Sequence, residues 1–564
     1  MMNALLSLCL FGLIQFQLVA QVLPKPSYHS PLAIPLRLSA NFGEIRPNHF
    51  HMGVDFKTNG IEGLSLFSIE DGYVSRIKTS PYGYGKVIYI NHPNGITSVY
   101  AHCSSFEGKI DSLVRSVQFQ QESSEIDVYF TPEDLKVTKG QRIARSGNTG
   151  SSTAPHLHFE LRDTKTEEAL NPLVFGFDIP DHKTPTLNSV KLYVVDENGY
   201  TIPGKSYSLP INQVGKSFVL SGGGFTLEAD CCALNEFVGL ALNGVDTYDG
   251  AQNLCGLYQT TLLNAQNVVF GQQIDRISFD DSRYVNSHTD YEEYKTHKYK
   301  YHKAFRTKHN PLTIYNGKDL GLLGVMPGDS LSLSFQVKDT KENKANIQFF
   351  LRRKKGEIPL KKQVFTSSDY FFPDSSYSFS TELFHISSEP FTFYIPTKKN
   401  LSLARVYSFG DPQSPIQRPL SVKMKLNDPK STNYYIQVTT RNGVKEALKP
   451  TVNNGWIEST SLYLGIFSLV QDTQAPRITP LNFNPTQSNQ SKKTLSFRIS
   501  ENGSGIKYYN AYVDGRWLPI EYESKGDYLL LDIPSECKGK RVNLRVESTD
   551  YCSNIGVWEM IIEL

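Results

Sequence analysis

The chain has 564 residues, and its 58 Lys and Arg against 56 Asp and Glu leave no global basic field, so charge gives nucleic-acid binding no support and none is expected. Hydrophobic residues make up 39%, enough for packed cores rather than disorder. The length allows about three to five domains, and the 31 Tyr and 32 Phe favour strands over helices.

Residues 4–14 form an uncharged, mostly apolar run that weakens at Gln15 and Gln17. It is too short for a good membrane span and has the form of a secretory segment, with Ala20 as the cleavage position. No later stretch is long and apolar enough to cross a bilayer. The expectation is therefore an exported protein, periplasmic or at the cell surface, with no transmembrane span after residues 1–20 are removed. Six cysteines remain: Cys103, Cys231, Cys232, Cys255, Cys537 and Cys552. An exported chain can oxidise them, and Cys537 with Cys552, or Cys255 with Cys231 or Cys232, are the reasonable pairs.

A Pro-rich stretch over 23–47 precedes short strand-like runs at 72–77, 86–91, 96–101, 141–144 and 157–161. Turn signals such as Asn94-Gly95 and Gly147-Asn148-Thr149-Gly150 separate them, so this part reads as a compact antiparallel β domain ending near Phe177. Residues 107–136 are a polar insertion with helical character, read as a surface excursion rather than a cleft wall.

Three segments carry chemistry: His51-Met52-Gly53-Val54-Asp55, Tyr100-Ala101-His102 and His156-Leu157-His158. Side chains four apart on a straight strand lie about 13 Å apart. His51 and Asp55 can therefore share a metal only if the chain bends, and Gly53 permits the bend. Leu157, Phe159 and Leu161 alternate with His156, His158, Glu160 and Arg162, the pattern of a half-buried strand with both histidines on its polar face. Glu160 reads as a solvated strand residue in preference to a partner for a metal-ligating imidazole. His102 is placed on the face of Tyr100 and Ser98, with Cys103 opposite and a poor ligand. His49 reads as a surface histidine. The Tyr-, His- and Lys-rich stretch 284–305, with His288, His297 and His302, reads as a solvated β ribbon.

Together these segments resemble the lysostaphin/LytM-type zinc metallopeptidases, whose pattern is His-x-x-x-Asp, a later His at a strand end, and a final His-x-His. The resemblance covers about residues 40–175 and includes Asp71-Gly72, Lys139-Gly140-Gln141 and Gly147-Asn148-Thr149-Gly150. It implies that His51, Asp55 and His158 ligate Zn2+ and that His102 and His156 are the catalytic histidines, without saying which is the general base. Two His and one Asp leave one of four tetrahedral positions open, as a catalytic zinc requires. The implied activity is that of a zinc metalloendopeptidase, a peptidoglycan hydrolase that cuts stem peptides or cross-links with a zinc-activated water. The long insertion departs from the short family core.

Beyond it, Asp-x-x-x-Pro recurs at Asp181/Pro185 and Asp472/Pro476, and Asp-x-x-x-Asn at Asp249/Asn253, Asp339/Asn343 and Asp550/Asn554. These echoes suggest repeated β modules. The expected organisation is all-β: a signal peptide over 1–20, an antiparallel β peptidase domain over 21–178, a β-sandwich-like module over 179–355, a β-rich module over 356–471, and an immunoglobulin-like β-sandwich over 472–564. The partners expected are peptidoglycan and, through the C-terminal modules, cell-envelope proteins. The rival readings are a non-catalytic, wall-binding regulator of other hydrolases and a surface adhesion protein.

Overall fold

The computed structural model describes residues 28–564 except 318, 361–363 and 404–405; the expected secretory segment lies outside the described residues. The protein is nearly all-β, mostly in antiparallel sheets, with one parallel pairing between Gly224–Leu227 and Lys344–Arg353, and the domain that holds the histidine motifs lies at its N-terminal end. No helix among the described residues is long and apolar enough to cross a membrane.

The sheet that carries the motifs orders its strands Leu38–Ala40, Val54–Lys57, His156–Asp163, Ile96–Cys103, Lys86–Asn91, Gly72–Thr79 and Ile126–Tyr129. The strand of the His-x-His motif thus lies between the strands that bring the other two motifs. Val54, Phe56, Leu157, Phe159, Leu161 and Tyr100 are fully buried on one face, the main core. Each such side chain contributes about 1.5–3 kcal/mol, which fixes the register.

The opposite face differs from the half-buried pattern expected. His158, Glu160 and Arg162 are buried there too, beneath Tyr84 and Tyr89. The Arg162 guanidinium stacks 4.1 Å over Phe279 and bonds Glu160, so charge pairing lets a polar face close.

The insertion forms a helix, Gly108–Gln121, and an edge strand, Ile126–Tyr129, on Gly72–Thr79. It is more than a surface excursion. Phe119 meets Trp517 edge-on at 5.6 Å, Tyr509 donates to Glu125 at 3.0 Å, and the Ile520 N–H donates to Ser124 Oγ at 2.9 Å. The C-terminal region therefore docks on the insertion.

Behind the first domain, sheets of five and six strands share its hydrophobic core. Two five-stranded sheets then enclose a core from Phe371 to Phe467, and two four-stranded sheets one from Ile478 to Leu564. The stretch expected as a solvated ribbon is helical at Val285–His288 and Tyr291–His297, with Asp290 capping the second helix. His288 and His302 are buried, bonded to each other at 3.1 Å. Lys191 neutralises Asp290 and Glu293, which is why so polar a segment can pack. All six described cysteines are free thiols, so none of the expected pairs is bonded.

Candidate metal centre and catalytic histidines

Residues 43–51 turn back on themselves. Gly43 N donates to the His51 carbonyl and His51 N to the Glu44 carbonyl, while Ile45–Arg46 pairs with His49–Phe50. The chain then bends at Gly53 into the Val54–Lys57 strand. Gly53 does not have a positive φ. What it supplies is room: a Cβ there would lie 2.5 Å from the Phe159 carbonyl oxygen and 2.9 Å from Glu160 Cγ. Asp55 pairs directly across from His158, which places both on one face.

The three side chains converge. Asp55 Oδ1 lies 2.9 Å from His51 Nε2 and 2.9 Å from His158 Nδ1, and the two nitrogens are 3.0 Å apart. The other ring nitrogens are occupied: His51 Nδ1 donates to the Asn41 carbonyl at 2.7 Å, and His158 Nε2 to the Glu160 carboxylate at 2.8 Å. These partners assign the tautomers. Two imidazole lone pairs and a carboxylate oxygen then face one point, an arrangement of acceptors that needs a cation or protons between them. Ligand atoms of a tetrahedral zinc stand about 3.3 Å apart, from bond lengths of about 2.0–2.1 Å. The donor set fits such an ion.

Electrostatics agree. Burial works against charge on His158, but Asp55 and Glu160 override it and lift its pKa to about 9. Burial likewise opposes charge on Asp55, yet the surrounding histidines hold its carboxyl well below the ordinary range. Burial pushes His51 down. Arg46 Nη2 donates to the second oxygen of Asp55 at 2.8 Å.

His102 and His156 stand beside this triangle, their rings 4.8 Å apart, and His156 Nε2 is 3.5 Å from Asp55 Oδ1. His102 has φ of 59°, rare outside glycine. That residue breaks the alternation. Tyr100 and Cys103 both join the main core, and His102 turns to the face of Ala101 and His158 instead of the Tyr100 face expected. The Gly147–Gly150 turn holds it there, since His102 Nδ1 donates to the Thr149 carbonyl at 2.8 Å. Thr149 is stitched to the strand end through Lys86 N and the Cys103 carbonyl. Gly150, at φ 72°, packs where a Cβ would meet Gly85 N at 2.3 Å. His156 Nδ1 donates to the Ala154 carbonyl at 2.8 Å. Burial, then His158 and His156, push His102 down to about 3.

Glu160 is the main correction. It is fully buried, not solvated, and binds His158, Arg162 and the Tyr84 hydroxyl. The His-x-His-x-Glu-x-Arg alternation was the available signal, because all four side chains share one face. Asn41, Arg46 and Tyr84 carried no comparable signal. His49 is exposed, its ring on the Pro47 carbonyl. An open cleft of about 910 Å³ reaches the site, bordered by Arg37, Arg46, Lys57 and, from the loop between the strands Phe237–Val245 and Gln259–Asn264, by Asn253 and Leu254.

Fold and site define a β-sheet domain built around a His–Asp–His metal centre of metallopeptidase type. Residues 49–119 and 121–172 match the model of Peptidase family M23. The N-terminal domain of this chain belongs to that family, the lysostaphin/LytM type. An uncharacterized metalloprotease of Haemophilus influenzae is 33% identical over 162 residues, 27% of this chain and 28% of that protein. The peptidoglycan DD-endopeptidase ShyA of Vibrio cholerae is 32% identical over 137 residues, 23% of this chain and 26% of that protein. The murein hydrolase activator NlpD of Escherichia coli is 31% identical over 121 residues, 22% of this chain and 24% of that protein. The matches thus span under a third of each relative.

Proposed function

We propose that the protein is an exported zinc metalloendopeptidase that hydrolyses peptide bonds in peptidoglycan stem peptides or cross-links, in the periplasm or at the cell surface. The observation that carries this reading is the triangle of acceptor atoms from His51, Asp55 and His158, with the far nitrogen of each imidazole already bonded. A zinc ion held by those residues would supply Lewis acidity, lowering the pKa of water from about 15.7 towards 7.

His102 and His156 each have Nδ1 bonded to a backbone carbonyl, so Nε2 is the nitrogen left to exchange protons. One of them takes the proton of the attacking water and passes it to the leaving amine, and the other hydrogen-bonds the developing oxyanion. Glu160, held by Arg162, keeps His158 in the tautomer that presents Nδ1. Arg37, Arg46 and Lys57 give the cleft a positive border suited to the carboxylates of stem peptides. The C-terminal modules, the last read as an immunoglobulin-like sandwich, position the peptidase on the wall or bind envelope proteins.

The likeness to NlpD favours a second reading, a wall-binding regulator of other hydrolases. The two separate in one experiment. Purified sacculi incubated with the protein should release muropeptides with newly freed amino and carboxyl termini. Release should stop on chelation and return with zinc. Sacculi left intact by the zinc-loaded protein would favour the regulator.

A further inference from the structure

The linker that leaves the peptidase domain begins at Asp181, which lands beside two carboxylates from distant parts of the chain. Asp246 follows the strand Phe237–Val245, and Asp339 opens the turn between Ser330–Lys338 and Lys344–Arg353. One oxygen from each carboxylate lies within 4.8 Å of the other two. All three residues are buried, at 6%, 1% and 1% exposure.

Their hydrogen bonds are incomplete. Asp339 is met on both oxygens: Oδ1 accepts from the Lys341 and Asn343 N–H groups, and Oδ2 from Asn343 Nδ2. Asp181 Oδ1 accepts from Lys183 N at 3.1 Å, and Asp246 Oδ1 from Thr247 N at 2.8 Å. The second oxygens, Asp181 Oδ2 and Asp246 Oδ2, are buried with no hydrogen-bond partner. The Lys183 ammonium is committed to the carbonyls of Tyr248 and Ala251, and His182 pairs with Asp249 at the surface. Burial pushes the Asp246 carboxyl up to about 8, and burial with the nearby Asp339 pushes Asp181 up to about 7. Carboxylates buried without compensation are costly, so at neutral pH this cluster requires either protons or a cation.

We propose that Asp181, Asp246 and Asp339 hold a divalent cation of the calcium class, which ties the linker after the peptidase domain to the sheets behind it. The donors are all oxygen and mostly charged, a set that suits hard cations, whereas zinc sites usually include nitrogen or sulfur ligands. Calcium takes six to eight oxygens at about 2.3–2.6 Å, so oxygens sharing one ion stand up to about 5 Å apart, which accommodates the observed spread. Magnesium, at about 2.0–2.1 Å, would have to draw the cluster tighter.

The same linker and turn recur further on. Asn343 Nδ2 donates to the Asp181 carbonyl at 3.3 Å, and Asn554 Nδ2 to the Asp472 carbonyl at 3.1 Å. Glu501 takes the third place there, and both oxygens of Asp472 already accept backbone N–H groups, from Gln474 and Ser504. The inference therefore rests on the first cluster, where two oxygens have nothing to bind.

The test uses the full chain, stripped of divalent ions, reloaded with zinc and titrated with calcium or magnesium by calorimetry and thermal melting. Calcium should bind and raise the melting midpoint by about 5–10 °C at about 100-fold above Kd, with magnesium weaker. Asp246→Asn should lose one bound calcium and the shift with it, while keeping its zinc. In calcium-free buffer at pH 7 this variant should melt no lower than the native chain, because Asn is neutral and replaces a carboxyl that burial already keeps mostly protonated there. A native chain with no calcium-dependent shift would overturn the proposal, as would an Asp246→Asn variant that binds calcium undiminished. The cluster would then be held by protons, and calcium-free stability would rise as pH falls through about 8.

Discussion

Replacing Glu160 with Gln keeps the shape of the side chain and removes its charge. Burial opposes ionisation of Glu160, but Arg162 and His158 hold its pKa near 2, so the native group is a carboxylate at any working pH. Its loss leaves Arg162, whose Nε lies 2.7 Å from Glu160 Oε2, buried without its main counter-charge. Breaking a buried pair costs about 3–5 kcal/mol. The lower end applies, because Arg162 keeps Glu167 at 3.3 Å and the Gln oxygen still accepts hydrogen bonds. About 3 kcal/mol corresponds to a melting midpoint about 6–12 °C lower for a domain of about 150–250 residues. The His158 Nε2 bond weakens as well, and the loss of such a partner typically lowers metal affinity about 10–100-fold. The assay is zinc competition against a chromogenic chelator. It belongs at pH 9, because at pH 7 the native His158 carries a proton that zinc must displace, and the substitution relieves part of that competition. Unchanged zinc affinity at pH 9 together with a midpoint within about 2 °C of native would refute the supporting role given to Glu160.

Because His158 titrates near 9 without metal, zinc binding between pH 6 and 8 should release about one proton. Affinity should therefore rise about tenfold per pH unit there, and calorimetry in buffers of different ionisation heat reads this directly. In the metal-free chain the same raised pKa stabilises the fold below its ordinary value of 6.5, and that contribution is lost as pH rises through about 9; a flat melting profile over this window would contradict it. Gly53→Ala should push the Val54–Lys57 strand off its neighbour, costing about 1–3 kcal/mol and lowering zinc content. Full zinc occupancy with native melting would show that the space at Gly53 does not matter.

The segments that build the candidate site were legible because each lies on a short, regular stretch. His51 and Asp55 flank a glycine, and His156 and His158 sit two apart on one strand, so spacing alone restricted where they could point. What alternation could not reveal was its own interruption: at His102 the backbone enters φ 59° and the side chain changes face. Nor could it show what covers the polar face of the His156–Asp163 strand. Tyr84 and Phe279 arrive from 76 and 117 residues away from Glu160 and Arg162, and only their presence turns a solvated pattern into a buried ion network. The 284–305 stretch misled for the same reason, since Lys191, about a hundred residues upstream, neutralises its acids. The Asp-x-x-x-Pro and Asp-x-x-x-Asn echoes were visible as repeats. Two of the three Asn echoes, Asp339/Asn343 and Asp550/Asn554, are hairpin turns, whereas Asp249/Asn253 lies in the loop beside the cleft.

The most direct test sets His158→Ala beside His156→Ala, measuring zinc per chain and muropeptide release from sacculi with the same preparations. The first variant should lose both metal and hydrolysis. The second should keep most of its zinc and lose hydrolysis. Zinc retained at the native level in His158→Ala, or hydrolysis retained in His156→Ala, would contradict the proposed division into a metal-holding His158 and a catalytic His156.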